Sequence, residues 1–357
     1  MKIGIDCHNL EGKRTGAGRY LMNLLKYWAK LNLKLKVKSP KFILCFKNNI
    51  PGDIPESKNF QKRILKSGSN FYFQHILLPK AIKKDKIDVF FSPSYILPLK
   101  ISQGVKTAVA IHDISYEAHP EWFSWQNRIL LCWVSKISAK KADIIFTPSD
   151  FSKREILKRY KVNANKIHVT PLAADEKFMR KPSIKKEKII FYVGAIFQRR
   201  FIPQIIKAFK KIKNKLPNYK LIIAGPNYSQ PFMDIKSEDS IIYKDYIQER
   251  ELVLLYNSAE LFIWLSSYEG FGLPPLEAMA CGTPVLSTKK TSLAEVLGDY
   301  PIAVENPENV DEIGEKMLKV LNNEHLRKEM IEKGLERARQ FSWPQTAKET
   351  LKILYEK

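Results

Sequence analysis

Cysteine is scarce and scattered. The four thiols, Cys7, Cys45, Cys132 and Cys281, form no Cys-x-x-Cys pair, and no histidine cluster stands at metal-ligand spacing. A disulfide scaffold and a zinc module are thereby excluded, which leaves buried, reduced thiols. Apolar runs are short: 261–265 and 129–134 fall far below the roughly 18–20 residues that cross a bilayer. An acid at position 6 interrupts the stretch where a secretory signal needs an apolar run. A cytoplasmic protein is expected, either free or resting on the inner face of the plasma membrane. Repeats and low-complexity tracts are absent.

Acids are also few, 37 against 60 Lys and Arg, for a formal charge of +23. The excess is concentrated at Lys34, Lys36, Lys38, Lys41 and Lys47, then at Lys58, Lys62, Arg63 and Lys66, then at Lys80, Lys83, Lys84 and Lys86. Such a field attracts anions: nucleic acid, anionic lipid or phosphorylated substrates. Charge runs are also the ordinary composition of solvated faces. No recognition helix, zinc module or aromatic-plus-basic sheet motif accompanies the charge, so no nucleic-acid partner is expected.

What is present is ample apolar material. The chain has 357 residues, 45% of them hydrophobic, which is longer than one typical domain. Buried strands are predicted at 2–6, 42–46, 88–92, 107–111 and 143–147, with a loop at 12–18. Helices are predicted at 19–28, 126–141 and 152–160, with Ser149 as a cap before the last. Across 177–188 the apolar period is lost, and this segment reads as an interdomain linker. The pattern then restarts, with strands at 189–193, 220–224, 261–264 and 284–287. Helices fall at 203–213, 249–258 and 275–281, and a helical C-terminal region begins near 311. Strands separated by helices, twice over, define an α/β protein of two parallel-sheet domains, with ligands expected in the cleft beyond the carboxyl ends of the strands.

One segment concentrates chemistry: Ser266-Ser-Tyr-Glu-Gly-Phe-Gly-Leu-Pro-Pro-Leu-Glu-Ala-Met-Ala-Cys-Gly-Thr-Pro-Val285. A strand ends, Gly270 and Gly272 allow close backbone approach, and prolines open a helix. The helix start is expected to add orphan N–H donors and a positive dipole end, which together make an anion site. Glu269 and Glu277 flank that site with seven residues between them. A carboxylate accepts hydrogen bonds at both oxygens and suits vicinal hydroxyls of a sugar or ribose.

This segment resembles the retaining glycosyltransferases of the large GT-B family 4, whose signature is two glutamates separated by seven residues. The resemblance implies that Glu269 contacts the transferred sugar and Glu277 the ribose hydroxyls. Phe271, Gly272 and Leu273 would offer backbone donors. Tyr192-Val-Gly-Ala-Ile-Phe-Gln-Arg-Arg200 resembles the family's turn followed by an Arg-Lys pair that clamps the nucleotide diphosphate. Gly194 would line the donor site, and Arg199 and Arg200 would stabilise the leaving group. Arg here replaces the usual Lys, and Phe201 a usual Asn. Leu265 stands where relatives often have Pro.

The N-terminal half resembles the family too. Arg14-Thr-Gly-Ala-Gly-Arg-Tyr20 matches its glycine loop, so Gly16 and Gly18 would approach the diphosphate. Ile111-His-Asp113 matches its cleft-lining His-Asp segment, so His112 would touch the donor sugar, with Asp113 orienting it. The stretches 147–154, 292–299 and 341–344 also fit. The implied fold is GT-B: two Rossmann-like domains facing each other across a cleft, at 1–178 and 187–340, with 341–357 returning to the first. The implied reaction is hexosyl transfer with retention from a nucleoside-diphosphate sugar, GDP-mannose favoured, in cell-surface polysaccharide or lipopolysaccharide synthesis. The acceptor would be a saccharide, free or polyprenyl-pyrophosphate-linked, and the basic N-terminal domain would meet an anionic membrane surface. No Asp-x-Asp motif stands near these elements, so neither metal nor cofactor is expected, and no carboxylate pair suits a double displacement. A sugar-nucleotide epimerase of the same architecture is the alternative within the fold.

Overall fold

The computed structural model describes every residue except 13, 15, 31–39, 124, 230, 231, 236, 239, 301 and 357, and the side chains of 126, 127 and 130. Lys34, Lys36 and Lys38, and Thr15 of the glycine segment, lie outside the described residues. The chain divides into two compact units: Met1–Leu172 with Trp343–Lys357, and Ala173–Ser342.

In the first unit the strands are β1 (Lys2–Asp6), β2 (Lys41–Phe46), β3 (Phe60–Ile64), β4 (Val89–Ser92), β5 (Lys106–Ala110), β6 (Ile144–Thr147) and β7 (Ile167–Val169). They pair in parallel in the order β3-β2-β1-β4-β5-β6-β7. Helices cover both faces, so the central strands read as continuous Val/Ile/Phe runs. One face carries Ile43, Phe90, Val109 and Ile145 against Leu78, Ile82 and Ala139. On the helix Gly16–Lys30, Trp28 stacks on Phe42 with ring centroids 5.2 Å apart. The last helix, Trp343–Tyr355, belongs to this unit: Trp28 Nε1 donates to the Ala347 carbonyl at 2.9 Å.

The second unit holds β8 (Glu187–Val193), β9 (Lys220–Ala224), β10 (Ile241–Lys244), β11 (Ala259–Trp264) and β12 (Val285–Ser287), again all parallel, in the order β10-β9-β8-β11-β12. The strand order reverses between β1 and β4 in one sheet and between β8 and β11 in the other. In such sheets the crevice beyond the carboxyl ends at that reversal is where ligands bind. Ser149 caps the helix Asp150–Tyr160, accepting from Ser152 N at 3.1 Å.

Two readings change. Residues 177–188, expected as a linker, are fastened to the second unit. Lys181 N donates to Asn257 Oδ1 at 2.8 Å, and Lys186 Nζ donates to the Ala259 carbonyl and to Thr283 Oγ1. Burial lowers the Lys186 ammonium to about 8. The expected loop at 12–18 is shorter, because Gly16 and Gly18 already lie in the first turn of the helix Gly16–Lys30. A Cβ at Gly18 would stand 2.4 Å from the Asn9 carbonyl oxygen, whereas one at Gly16 meets nothing within 4 Å.

That contrast is testable by thermal unfolding. Gly18→Ala is expected to destabilise by about 1–3 kcal/mol through overpacking, while Gly16→Ala leaves stability level or raises it by up to about 1 kcal/mol. Equal melting temperatures for the two variants would refute the close approach.

Candidate functional site

The reversal between β8 and β11 gathers most of the expected donor residues. β8 ends in Gly194, where φ is 153° and an added Cβ would meet the Trp264 ring at 2.7 Å. Trp264 closes β11 and stacks on Tyr192 of β8, centroids 5.3 Å apart. Gly225, after β9, passes so near that its Cβ would sit 2.2 Å from the Gly194 carbonyl oxygen. Side-chain-free backbone at both positions is what lets three strand ends converge.

Beyond Gly194 a turn of 3-10 helix, Gln198–Arg200, presents the two arginines. They do different things. Arg200 is 7% exposed; its guanidinium lies 4.1 Å over the Trp264 ring and forms an ion pair with Glu269, whose Oε2 accepts from Nη2 at 3.3 Å. Both Nη–Oε contacts face each other, the bidentate arrangement a guanidinium makes and an ammonium does not. Arg199 instead lies over Phe197, 4.7 Å from its centroid, while its carbonyl accepts from Ser267 N at 3.2 Å and ties the turn to the loop after β11.

That loop is pinned from below. Thr288 Oγ1 bonds the Ser266 carbonyl at 2.7 Å, and Glu269 N donates to Thr291 Oγ1 at 3.2 Å. Ser292 Oγ lies 2.8 Å from the Glu269 carbonyl and 2.9 Å from that of Phe271. The Glu269 backbone is therefore fixed while its carboxylate faces Arg200.

The helix Leu273–Ala280 follows, capped by Gly272 at φ 114°, where a Cβ would meet Leu293 at 2.6 Å. Its prolines revise the expected anion site. Pro274 and Pro275 have no N–H, and Leu276 N bonds the Gly272 carbonyl at 3.4 Å. Of the first helical turn, only Leu273 N remains to serve a ligand, beside the N–H groups of Phe271 and Gly272. Phe271 contributes backbone alone, since its ring is buried against Phe341.

Glu277 sits one turn deeper. It is 1% exposed and accepts from the Tyr256 hydroxyl at 3.0 Å. Burial first, and then the Glu277 charge, push the nearby Cys281 thiol up to about 12, so that thiol is inert.

In the first unit, Gly16 and Gly18 are helical, and Gly18 serves packing against the turn His8–Leu10. His112, just past β5, is held by the Pro93 carbonyl at 3.0 Å from Nε2 and by the Tyr20 ring at 4.9 Å. A carbonyl only accepts, so Nε2 carries the proton and Nδ1 a lone pair. Burial lowers its pKa below the ordinary imidazole value, so the ring is neutral at pH 7. Asp113 does not orient it through a hydrogen bond; its carboxylate accepts from Ser115 N at 2.8 Å.

Sequence reasoning missed Trp264, Thr291, Ser292 and Tyr256. Trp264 had a visible signal, an aromatic closing a buried strand at the reversal point. Thr291 and Ser292 act from a loop that only the fold brings near.

Two parallel-sheet α/β units, the second with a bidentate Arg–Glu pair at its strand reversal, are the architecture of a GT-B glycosyltransferase. The chain matches the family described as Glycosyl transferases group 1 over residues 174–337 and Glycosyltransferase Family 4 over 14–178. It is 31% identical to the O-antigen chain mannosyltransferase B of Escherichia coli, covering 98% of each chain. The crystal structure of WaaG, a glycosyltransferase involved in lipopolysaccharide biosynthesis, superposes with a TM-score of 0.74 at 14% identity over the whole of both chains. Anabaena Alr3699/HepE in complex with UDP and glucose gives 0.72 at 14% identity over 99% of both. The protein belongs to glycosyltransferase family 4 and is a transferase enzyme.

Phe201 offers a local test. It adopts φ 53° at the start of the helix Ile202–Ile212, a left-handed conformation that Asn tolerates and a bulky residue does not. Phe201→Asn is expected to stabilise the protein by about 1 kcal/mol, read as a higher melting temperature. A lower one would mean that ring packing outweighs backbone strain there.

Proposed function

We propose that this enzyme transfers mannose from GDP-mannose, with retention at the anomeric carbon, to a lipid-linked saccharide in the assembly of an O-antigen-like surface polysaccharide. The observation that carries the donor side is the Arg200–Glu269 pair over Trp264 at the sheet reversal. The full-length relation to an O-antigen mannosyltransferase supports the sugar and the polysaccharide. A nucleoside diphosphate brings negative charge that grows on the departing oxygen as the glycosidic bond breaks. Two guanidinium groups and the N–H groups of 271–273 would stabilise it without a metal ion, each such donor contributing about 3–4 kcal/mol.

The diphosphate and Glu269 compete for the same guanidinium. Binding of the donor draws Arg200 to phosphate and releases the Glu269 carboxylate to sugar hydroxyls, while Glu277 takes the ribose. The nucleophile is the acceptor hydroxyl, and its proton passes to the departing phosphate oxygen on the same face. His112, neutral with Nδ1 open as an acceptor in its tautomer, is assigned to the sugar during transfer rather than to charge stabilisation.

Product analysis tests this directly. GDP-mannose with a saccharide acceptor should give an axial mannoside by NMR, with no loss of rate in EDTA; free epimer, an inverted product, or activity restored only by a divalent ion would overturn it. His112→Ala should lower kcat at least about 100-fold with little change in donor affinity. Because burial depresses the His112 pKa, the acid limb of the wild-type rate should lie below the ordinary imidazole value of 6.5. An acid limb above that value would assign the titration to another group.

A further inference from the structure

The seven-stranded sheet has its own reversal, between β1 and β4, and a second imidazole stands there. His8 lies two residues past the end of β1 and opens the turn His8–Leu10. Its Nδ1 is 2.7 Å from Oδ1 of Asp6, the last residue of β1. Asp6 is 1% exposed and also accepts from the His8 backbone N–H at 3.1 Å. A carboxylate accepts, so Nδ1 carries a proton and the tautomer is fixed. The edge of the Phe73 ring, with centroids 5.8 Å apart, packs against the imidazole.

The polar groups around this ring are already committed. Asn9 Nδ2 donates across the reversal to Ser94 Oγ at 2.5 Å, one residue beyond the Pro93 whose carbonyl holds His112. Glu11 accepts from Lys47 N at 2.5 Å and from Asn48 N at 3.1 Å. Lys47 Nζ donates to Asn70 Oδ1 at 2.7 Å. The outer nitrogen of His8, Nε2, meets no partner among the described residues, and the side chain is 15% exposed.

We propose that His8 is a specificity-determining residue for the acceptor, its Nε2 hydrogen-bonding a non-reacting hydroxyl of the acceptor saccharide while Asp6 positions the ring. The chemistry selects a hydroxyl. A neutral ring offers a lone pair at Nε2 and a protonated ring offers an N–H; a hydroxyl, which both donates and accepts, pairs with either. A fully ionised phosphate pairs with the second alone. The charges facing the ring also disfavour it: Asp6 and Glu11 outnumber Lys47 when the imidazole is neutral and balance the cations when it is protonated. The role rests on the transferase reading above, whereas binding at His8 is measured without a donor sugar.

His8→Asn separates binding from structure, because its amide keeps an N–H near the Nδ1 position for Asp6 and loses the outer nitrogen. Mannotriose is titrated into the full chain in the presence of GDP, following the His8 ring resonance by NMR, and is then used as acceptor with GDP-mannose. The wild-type resonance is expected to shift on titration. His8→Asn should melt with the wild type, yet raise the dissociation constant and the KM for mannotriose about tenfold, with the KM for GDP-mannose unchanged. A resonance that does not move, wild-type mannotriose affinity in His8→Asn, or inhibition by inorganic pyrophosphate that His8→Asn relieves would overturn the proposal. A resonance that shifts where no sugar is transferred would count against the transferase reading alone.

Discussion

The Arg200–Glu269 ion pair is a poor investment for stability alone. Two charges leave water for a site against Trp264, and burying such a pair seldom gains more than an apolar contact would. Removing one partner is another matter, costing about 3–5 kcal/mol by stranding the other. Such a pair makes sense where an anion is to take the place of the carboxylate. Much around it serves to hold both partners: Gly194 and Gly225 let the strand ends converge on Trp264, and Thr291 and Ser292 pin the Glu269 backbone. Under the proposed exchange, only side chains would then have to move.

The same economy governs the helix start. Pro274 and Pro275 remove first-turn donors that would otherwise need solvent, and concentrate the remaining backbone N–H groups at 271–273, next to the pair. Gly272 must be glycine twice over, for its φ of 114° and for the Leu293 methyl beneath it. Glu277 accepts from Tyr256 of the helix Glu249–Ser258. The carboxylate of Glu269 therefore meets a cation, and that of Glu277 meets a neutral hydroxyl from another element.

How much of this was legible in the sequence follows from burial. The strands β1, β2, β4 and β5 announce themselves as short apolar runs because helices cover both of their faces. β3, with Gln61, Lys62 and Arg63, is a polar, partly exposed edge strand, and β10, Ile-Ile-Tyr-Lys, is an edge strand of four residues too short to mark itself. β7 is three residues long. Gly16 and Gly18 look like a loop because glycine weakens helices, yet Gly18 is in a helix for the space it saves against Asn9. In the sequence the candidate site is a set of residue types, with Arg200 and Glu269 each expected to meet a ligand. Their pairing with one another depends on Trp264 and on two loops that meet only in three dimensions.

Partner exchange at Arg200 is tested most directly by calorimetric titration of GDP, without sugar, into the wild type and Glu269→Gln. With the carboxylate neutralised, Arg200 no longer has to leave an anion, so GDP should bind the variant more tightly by about tenfold, while guanosine should gain nothing. GDP affinity that is unchanged or weaker in Glu269→Gln would contradict the exchange and return the pair to a purely structural role.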